Sequence, residues 1–380
     1  MATTASGPDD FSPDWLTQAL RGSIPDDANV TSAQVTPLGR GHGVIGILYR
    51  INLEYDVEAP DAPRSLIAKL PARIGPIRDL AARFNMYERE ARFYEEIASE
   101  LSLPTPQLYY SATSDDGGLT LLLEDMSPAL AGDLMAGSTL DQMQELLRTV
   151  AELHAAWWNS PKLDTLAWLP SLNDRAALEI GADFAGEAWD IFVKNFGEHL
   201  PPPVQRLGSV LRNDRSVLDR LSARPRTLVH ADLRLNNLMF REGGSLSAVL
   251  DWQSTVAARG PVDVARLFVN NLEPADRRTA EAELLPEYHR QLAELGVRDY
   301  SYAECWRDYR LAVINQFGQV VVLSSMLDVD SEIEDELGPK TGTRLVVALL
   351  DLNLLELVLR EPAWKRAGRK VRNLLRAFLQ

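Results

Sequence analysis

Hydrophobic and polar positions change their period along the chain, and the change marks off two parts. In the first third, short apolar runs have strand character: Gly46–Tyr55, Ser65–Leu70, Leu108–Ala112 and Leu119–Glu124. Turn formers separate them, among them Pro60, Pro63 and the run Asp115-Asp116-Gly117-Gly118. One stretch inside this set has a helical period instead. Leu80, Phe84, Tyr87, Ala91, Tyr94, Ala98 and Leu101 recur at alternating steps of four and three, which predicts a single long helix stopped by Pro104.

After Glu124 helical periods take over, over Leu140–Trp158, Arg175–Phe196 and from Ala280 to the C-terminus. One island of strand character, Leu238 to Trp252, interrupts them. Its halves flank Arg241-Glu242-Gly243-Gly244-Ser245, so a β-hairpin is predicted. The resulting fold class is α+β with two lobes: a β-rich N-terminal lobe over residues 1–125 and a larger, mostly helical lobe over 126–380. The junction is expected at Asp125–Pro128. A chain of 380 residues is long enough for both.

Composition narrows the function classes. Apolar residues make up 46% and charged residues 24%, which excludes wholesale disorder and collagen-like repeats. The net charge of −15 disfavours a nucleic-acid partner, whose affinity rests on Lys and Arg neutralising phosphates, but it leaves a local nucleotide site open. The most apolar long stretch, Leu345 to Leu359, contains Asp351, Asn353 and Glu356 and reads as a buried helix, not a membrane span. The first twenty residues lack the basic start and apolar run of a signal peptide. The single cysteine, Cys305, fits a reducing compartment. A cytoplasmic protein with no membrane or nucleic-acid partner is expected.

The densest chemistry lies in His230-Ala231-Asp232-Leu233-Arg234-Leu235-Asn236-Asn237, followed by Asp251-Trp252-Gln253. The hairpin would put Asn237 where the first strand starts and Asp251 where the second ends. Antiparallel pairing brings those ends together, so an amide oxygen and a carboxylate can share one hard cation such as Mg²⁺. Asp232, on the loop just before, would lie beside them as an unbound carboxylate. That is a minimal set for phosphoryl transfer.

These residues resemble the catalytic loop of the aminoglycoside-phosphotransferase and choline-kinase superfamily, which has a protein-kinase-like fold. The doubled Asn236-Asn237 and the triplet Asp251-Trp252-Gln253 are most similar to the ecdysteroid-kinase-like branch. Leu153-His154-Ala155-Ala156-Trp157-Trp158, Gly260-Pro261-Val262-Asp263 and Glu287-Tyr288-His289 resemble it too. The sequence departs at Ala231, where the family usually carries Gly. The resemblance implies that Asp232 orients the acceptor hydroxyl and takes its proton, that Asn237 and Asp251 hold Mg²⁺, and that Asp263 pins the loop. Arg234 stands where protein kinases carry a Lys facing the transferred phosphoryl group, and a guanidinium there would stabilise charge on the γ-phosphate. His230 reads as a packed anchor of the loop.

On the nucleotide side, Gly41, Gly43 and Gly46 spell G-x-G-x-x-G ahead of a strand-like run, Ile47–Leu53. A dinucleotide turn would be followed by a helix, so a phosphate-covering hairpin is expected. Lys69 interrupts an apolar strand, where a charge needs a partner. The resemblance implies that it touches the ATP phosphates and pairs with a Glu of the long helix, Glu90, with Glu88 as the second candidate. Glu124 and Met126 fall at the lobe junction, where backbone groups would meet the adenine edge.

Other features read as structure. His154, Trp157 and Trp158 share a helix with Leu146, Leu147, Val150 and Leu153, a core face; Trp158, Trp189 and Trp306 are candidates for an acceptor pocket. The acidic run Asp328–Glu336 reads as a solvated face, and the basic end from Lys365 to Arg376 as a docking helix whose charges face water, not a membrane anchor. The expected activity is an ATP- and Mg²⁺-dependent kinase acting on the hydroxyl of a small, fairly hydrophobic alcohol. Its rivals are an aminoglycoside-type antibiotic phosphotransferase and a nucleotide-binding pseudokinase. The stretch between Gln253 and Pro261 is too short for the peptide-docking segment of a protein kinase.

Overall fold

The computed structural model describes residues 4–38, 46–72, 75–114, 118–174, 187–212, 214–326 and 339–359. The first part builds a five-stranded antiparallel sheet from β1 (Val30–Pro37), β2 (Gly46–Tyr55), β3 (Ser65–Pro71), β4 (Leu108–Thr113) and β5 (Leu119–Glu124), in the order β1-β2-β3-β5-β4. Side chains alternate across it. Leu66, Ala68, Leu70 and Leu122 pack on one face with Phe11, Leu16 and Leu20, Leu16 in the middle of helix α1 (Pro13–Ala19) and Leu20 just after it. Leu119, Leu121 and Leu123 face the other way, into the main core with Phe93 and Ile97. Lys69 lies opposite Leu121 in the register and so belongs to that inner face.

The single long helix expected after β3 is instead two, α2 (Pro76–Arg83) and α3 (Met86–Glu96). Between them Asn85 takes a left-handed backbone, φ 51°. Asn enters that region more easily than other side chains. The apolar stripe survives the break because both helices cover the same core through Ala81, Tyr87, Ala91 and Tyr94.

The second part is mainly helical. Helix α4 (Leu140–Ala156) is capped by Thr139, whose hydroxyl accepts the Gln142 N–H at 3.2 Å, and it buries Met143, Leu146, Leu147 and Val150. Residues 187–196 are helical, while 175–186 lie outside the described residues. Then follow α5 (Pro202–Leu211), α6 (Ser216–Ser222), α7 (Pro261–Asn271), α8 (Pro274–Glu294), α9 (Tyr302–Met326) and α10 (Pro339–Asp351). Helix α7 is almost wholly buried, against α4 on one side and α9 on another. The stretch expected as one buried helix from Leu345 breaks after α10 at Asn353, φ 48°, though Leu345, Leu349, Leu352 and Val358 are buried as its pattern implies. No described helix is long and apolar enough to cross a membrane.

Short strands frame the candidate site. β7 (Thr227–Val229) pairs antiparallel with β10 (Val256–Ala258), and β6 (Leu130–Ala131) pairs with the hairpin of β8 (Leu238–Phe240) and β9 (Leu246–Val249). The hairpin register sets Leu238 opposite Val249, and Gly243 and Gly244 supply positive φ (96° and 88°) at its turn.

Candidate active site

The hairpin brings its two ends together as its register requires. Leu250 N–H donates to the Asn237 carbonyl at 2.8 Å, which sets Asn237 beside the residue before Asp251. The Asn237 amide donates to the Asp232 carbonyl (2.9 Å) and to Asp232 Oδ2 (3.2 Å), so loop and hairpin are tied. Asp251 has a left-handed backbone (φ 65°), and its Oδ2 accepts from Gln253 Nε2 at 3.0 Å. The Gln253 amide thus holds the carboxylate in place.

Lys69 crosses from the sheet to meet these residues. Its Nζ stands 2.7 Å from Glu90 Oε2 on α3 and 2.6 Å from Asp251 Oδ1. Glu90 is therefore the partner; Glu88 is exposed and leans on Arg92 at 3.9 Å. Burial works to lower the Lys69 pKa, but Asp251 and Glu90 outweigh it and hold the ammonium above its ordinary range. Burial pushes Glu90 up to about 7, with Lys69 pulling the other way and Asp251 adding to the rise. One cation faces two carboxylates here. Such a site is short of positive charge, which suits a hard cation held by the Asp251 carboxylate and the Asn237 amide oxygen.

Aromatic packing joins α3 to this corner. Phe93 stacks on Trp252 with centroids 3.9 Å apart and planes 8° apart, and His230 leans on the same indole at 4.6 Å. His230 is an anchor, as expected: its Nε2–H donates to the Leu250 carbonyl (2.8 Å), leaving Nδ1 to accept the Asp232 N–H (3.1 Å). Asp232 itself meets Arg234 at both oxygens, Nε at 3.1 Å and Nη2 at 3.1 Å. Burial alone would raise the Asp232 pKa; Arg234, Arg266 and His230 together outweigh it and keep the carboxyl below its usual range. Arg266, on α7, carried no sequence signal, because one Arg on a buried helix does not announce a neighbour from another segment.

Asp263 holds the loop from α7. Its carboxylate is fully buried and accepts the N–H groups of His230 (2.9 Å) and Ala231 (2.7 Å). It also meets His154 Nε2 at 3.2 Å, and His154 Nδ1 accepts from the Tyr288 hydroxyl at 2.8 Å. His154 is buried on the core face its pattern predicts and is also a polar link, for which the sequence signal is an imidazole among apolar neighbours. Gly260 permits this packing, since a Cβ there would lie 2.4 Å from the Tyr288 oxygen and 2.8 Å from His154 Nδ1. Ala231, in the place of the usual Gly, has φ 65°, a conformation that costs an L-residue about 1–2 kcal/mol. Further along the loop, Asn271 accepts the Leu235 N–H at 2.9 Å and donates to the Leu233 carbonyl at 3.0 Å.

At the lobe junction Glu124 ends β5, with its N–H donated to the Gln107 carbonyl at 2.9 Å, and the Met126 carbonyl accepts the Ala129 N–H at 2.9 Å. Asp125 between them is fixed by Arg50 (2.7 Å) and the Ser65 hydroxyl (2.5 Å). Gly46 starts β2 against Lys69: a Cβ there would be 3.1 Å from Lys69 Cε and from the Leu70 carbonyl. Gly41 and Gly43 lie outside the described residues. Trp189 is buried beside Phe192 and Phe317, while Trp158 and Trp306 lean on Tyr300 and Tyr309; core packing accounts for all three.

The sequence matches the model of a phosphotransferase enzyme family over residues 50–305. Among solved structures, the GDP complex of wild-type aminoglycoside 2′-phosphotransferase-IIIa is similar in fold, with a TM-score of 0.50 at 14% identity, covering 90% of this chain and 98% of that one. A GDP complex of a point mutant of that enzyme gives 0.50 at 12% identity, over 91% and 99%. The choline kinase LicA from Streptococcus pneumoniae gives 0.47 at 13% identity, over 89% and 98%. No curated protein matches the sequence.

Proposed function

Because this chain belongs to the phosphotransferase enzyme family, we propose that it transfers the γ-phosphate of ATP, with Mg²⁺, to a hydroxyl of a small and fairly hydrophobic alcohol. The observation that carries the reading is convergence: Lys69 joins Glu90 to Asp251, while the Asn237 amide joins the hairpin to Asp232. In this reading Asp232 orients the acceptor hydroxyl and takes its proton at a carboxylate oxygen. Arg234, with its guanidinium already on Asp232, supplies charge of the sign that the γ-phosphate oxygens need. Lys69 exchanges its hold on Asp251 for the α/β-phosphates, Gly41, Gly43 and Gly46 cover them, and backbone groups of Glu124 and Met126 meet the adenine edge. Asn237 and Asp251 would hold Mg²⁺, which supplies neutralisation of phosphate charge. Residues 1–125 would then serve as the nucleotide lobe, and 126–380 as the catalytic and acceptor lobe, of a cytoplasmic enzyme.

Charge beside Asp232 bears on the acceptor. Arg234 and Arg266 both act on that carboxylate, so a polycation would approach two guanidinium groups. This favours a neutral alcohol, in keeping with the resemblance of Asn236-Asn237 and Asp251-Trp252-Gln253 to the ecdysteroid-kinase-like branch. The aminoglycoside reading keeps one support, the fold it shares with the aminoglycoside phosphotransferase above. A pseudokinase is disfavoured because Lys69, Asp232, Asn237 and Asp251 are all present.

The test is a screen of neutral alcohols and aminoglycosides for acceptor- and Mg²⁺-dependent ADP release. Turnover with a neutral alcohol, only weakly affected by salt, is the expected result. Turnover confined to aminoglycosides, with affinity falling steeply as salt rises, would select the rival. In the same assay Arg234→Ala is expected to lower kcat about 10-fold or more with nucleotide KM nearly unchanged, since one charge-assisted contact made in the transition state is lost. An equal fall in affinity, or no fall in kcat, would remove Arg234 from the reaction.

A further inference from the structure

A second cleft opens where the α2–α3 break meets the stretch leading to Asp174 in the helical lobe. Arg83, Phe84 and Arg89 line one wall, Trp168 and Asp174 the other, and Glu88 stands at the edge. Arg89 is the unusual member. It is only 9% exposed, its Nη2 donates to the Phe84 carbonyl at 2.7 Å, and its Nε has no hydrogen-bond partner among the described residues. A buried guanidinium N–H without an acceptor is costly, and proteins rarely leave one so.

The surrounding groups do not complete it. Burial pulls the Arg89 guanidinium down to about 10, with Asp174 working in the opposite direction. Glu88 is exposed and already shared with Arg92 at 3.9 Å. The Trp168 indole N–H is spent on Glu96 at 3.0 Å. The left-handed Asn85 at the helix break ties Arg89 further, because the Asn85 carbonyl accepts the Arg89 backbone N–H at 2.9 Å. None of these residues has a part in the phosphoryl-transfer scheme, although Glu90 follows Arg89 directly.

We propose that this cleft binds a small oxyanion, a carboxylate or a phosphate group, held at the Arg89 guanidinium and reaching Arg83, so that one ligand clamps the start of α3 to the helical lobe. An oxyanion presents the acceptor geometry that a guanidinium edge matches, and its charge is of the opposite sign. Because Glu90 lies on the same turn of α3, an occupied cleft would steady the Lys69–Glu90 pair from a site outside the reaction. The proposal does not rest on the phosphotransfer reading.

The experiment titrates the full chain with inorganic phosphate, and separately with acetate, at constant ionic strength set by KCl, and reads thermal unfolding and binding heat. The Lys69→Met variant is run in parallel so that phosphate binding at the Lys69 site is told apart. Saturable stabilisation, kept in Lys69→Met and weakened at least 10-fold in Arg89→Gln, is expected. Should Arg89→Gln fail to fold, Arg83→Gln is expected to weaken the same saturation several-fold. Phosphate or acetate as the tighter of the two identifies the group. Stabilisation that never saturates, that disappears in Lys69→Met, or that is equal in the arginine variants and the parent overturns the proposal.

Discussion

Asp232→Asn is expected to lower turnover by about 10²–10⁴-fold, the range for losing a general base, with nucleotide affinity close to that of the parent and a melting temperature only modestly lower. The substitution keeps the side chain's shape, and the loop is held by other groups: Asp263 through the backbone N–H of His230 and Ala231, and Asn271 at Leu233 and Leu235. What changes is the atom that would take the hydroxyl proton. An amide cannot take it, and its NH₂ would also face donors from Arg234 and Asn237. ADP release with the acceptor found by screening, measured beside nucleotide binding, separates the two effects. Activity within a few-fold of the parent would mean that another group removes the proton.

The largest loss of stability is expected from Asp263→Ala. Its carboxylate accepts from His230 N–H, Ala231 N–H and His154 Nε2 in a region without solvent access. Removing it orphans three buried donors at about 1–3 kcal/mol each, so a cost on the order of 4 kcal/mol follows once some relaxation is allowed. For a chain of this size that corresponds to a fall in melting temperature of roughly 5–10 °C. Turnover should fall too, because Ala231 would lose what holds its left-handed backbone and Asp232 follows it directly. Thermal unfolding of Asp263→Ala beside Asp263→Asn checks this. A melting temperature equal to the parent's in the alanine variant would show that water replaces the carboxylate.

Much of this was legible because local signals and long-range geometry agreed. The Gly243-Gly244 turn between two apolar runs foretold the hairpin, and the hairpin sets the Asn237 carbonyl on the N–H of Leu250, the residue before Asp251. Lys69 in an apolar strand called for a carboxylate, and Glu90 answers. The break at Asn85 was hidden because the apolar stripe keeps its period across it: packing against one core sets that period, whether the backbone continues or turns. His154 and Arg266 were hidden for another reason. Each has its role through residues far away in sequence, and one imidazole or guanidinium on a helix reads the same whether it packs, pairs or faces water. The position of Glu124 at the end of a strand was readable, but which backbone groups remain open there depends on pairing with Gln107, which no short-range pattern encodes.

The flat stack of Phe93 on Trp252 has a consequence for how the molecule breathes. Two rings lying face to face resist tilting independently, so the segment carrying Glu90 and the segment carrying Asp251 form one cooperative opening unit. Amide exchange along the two segments would then share one rate regime.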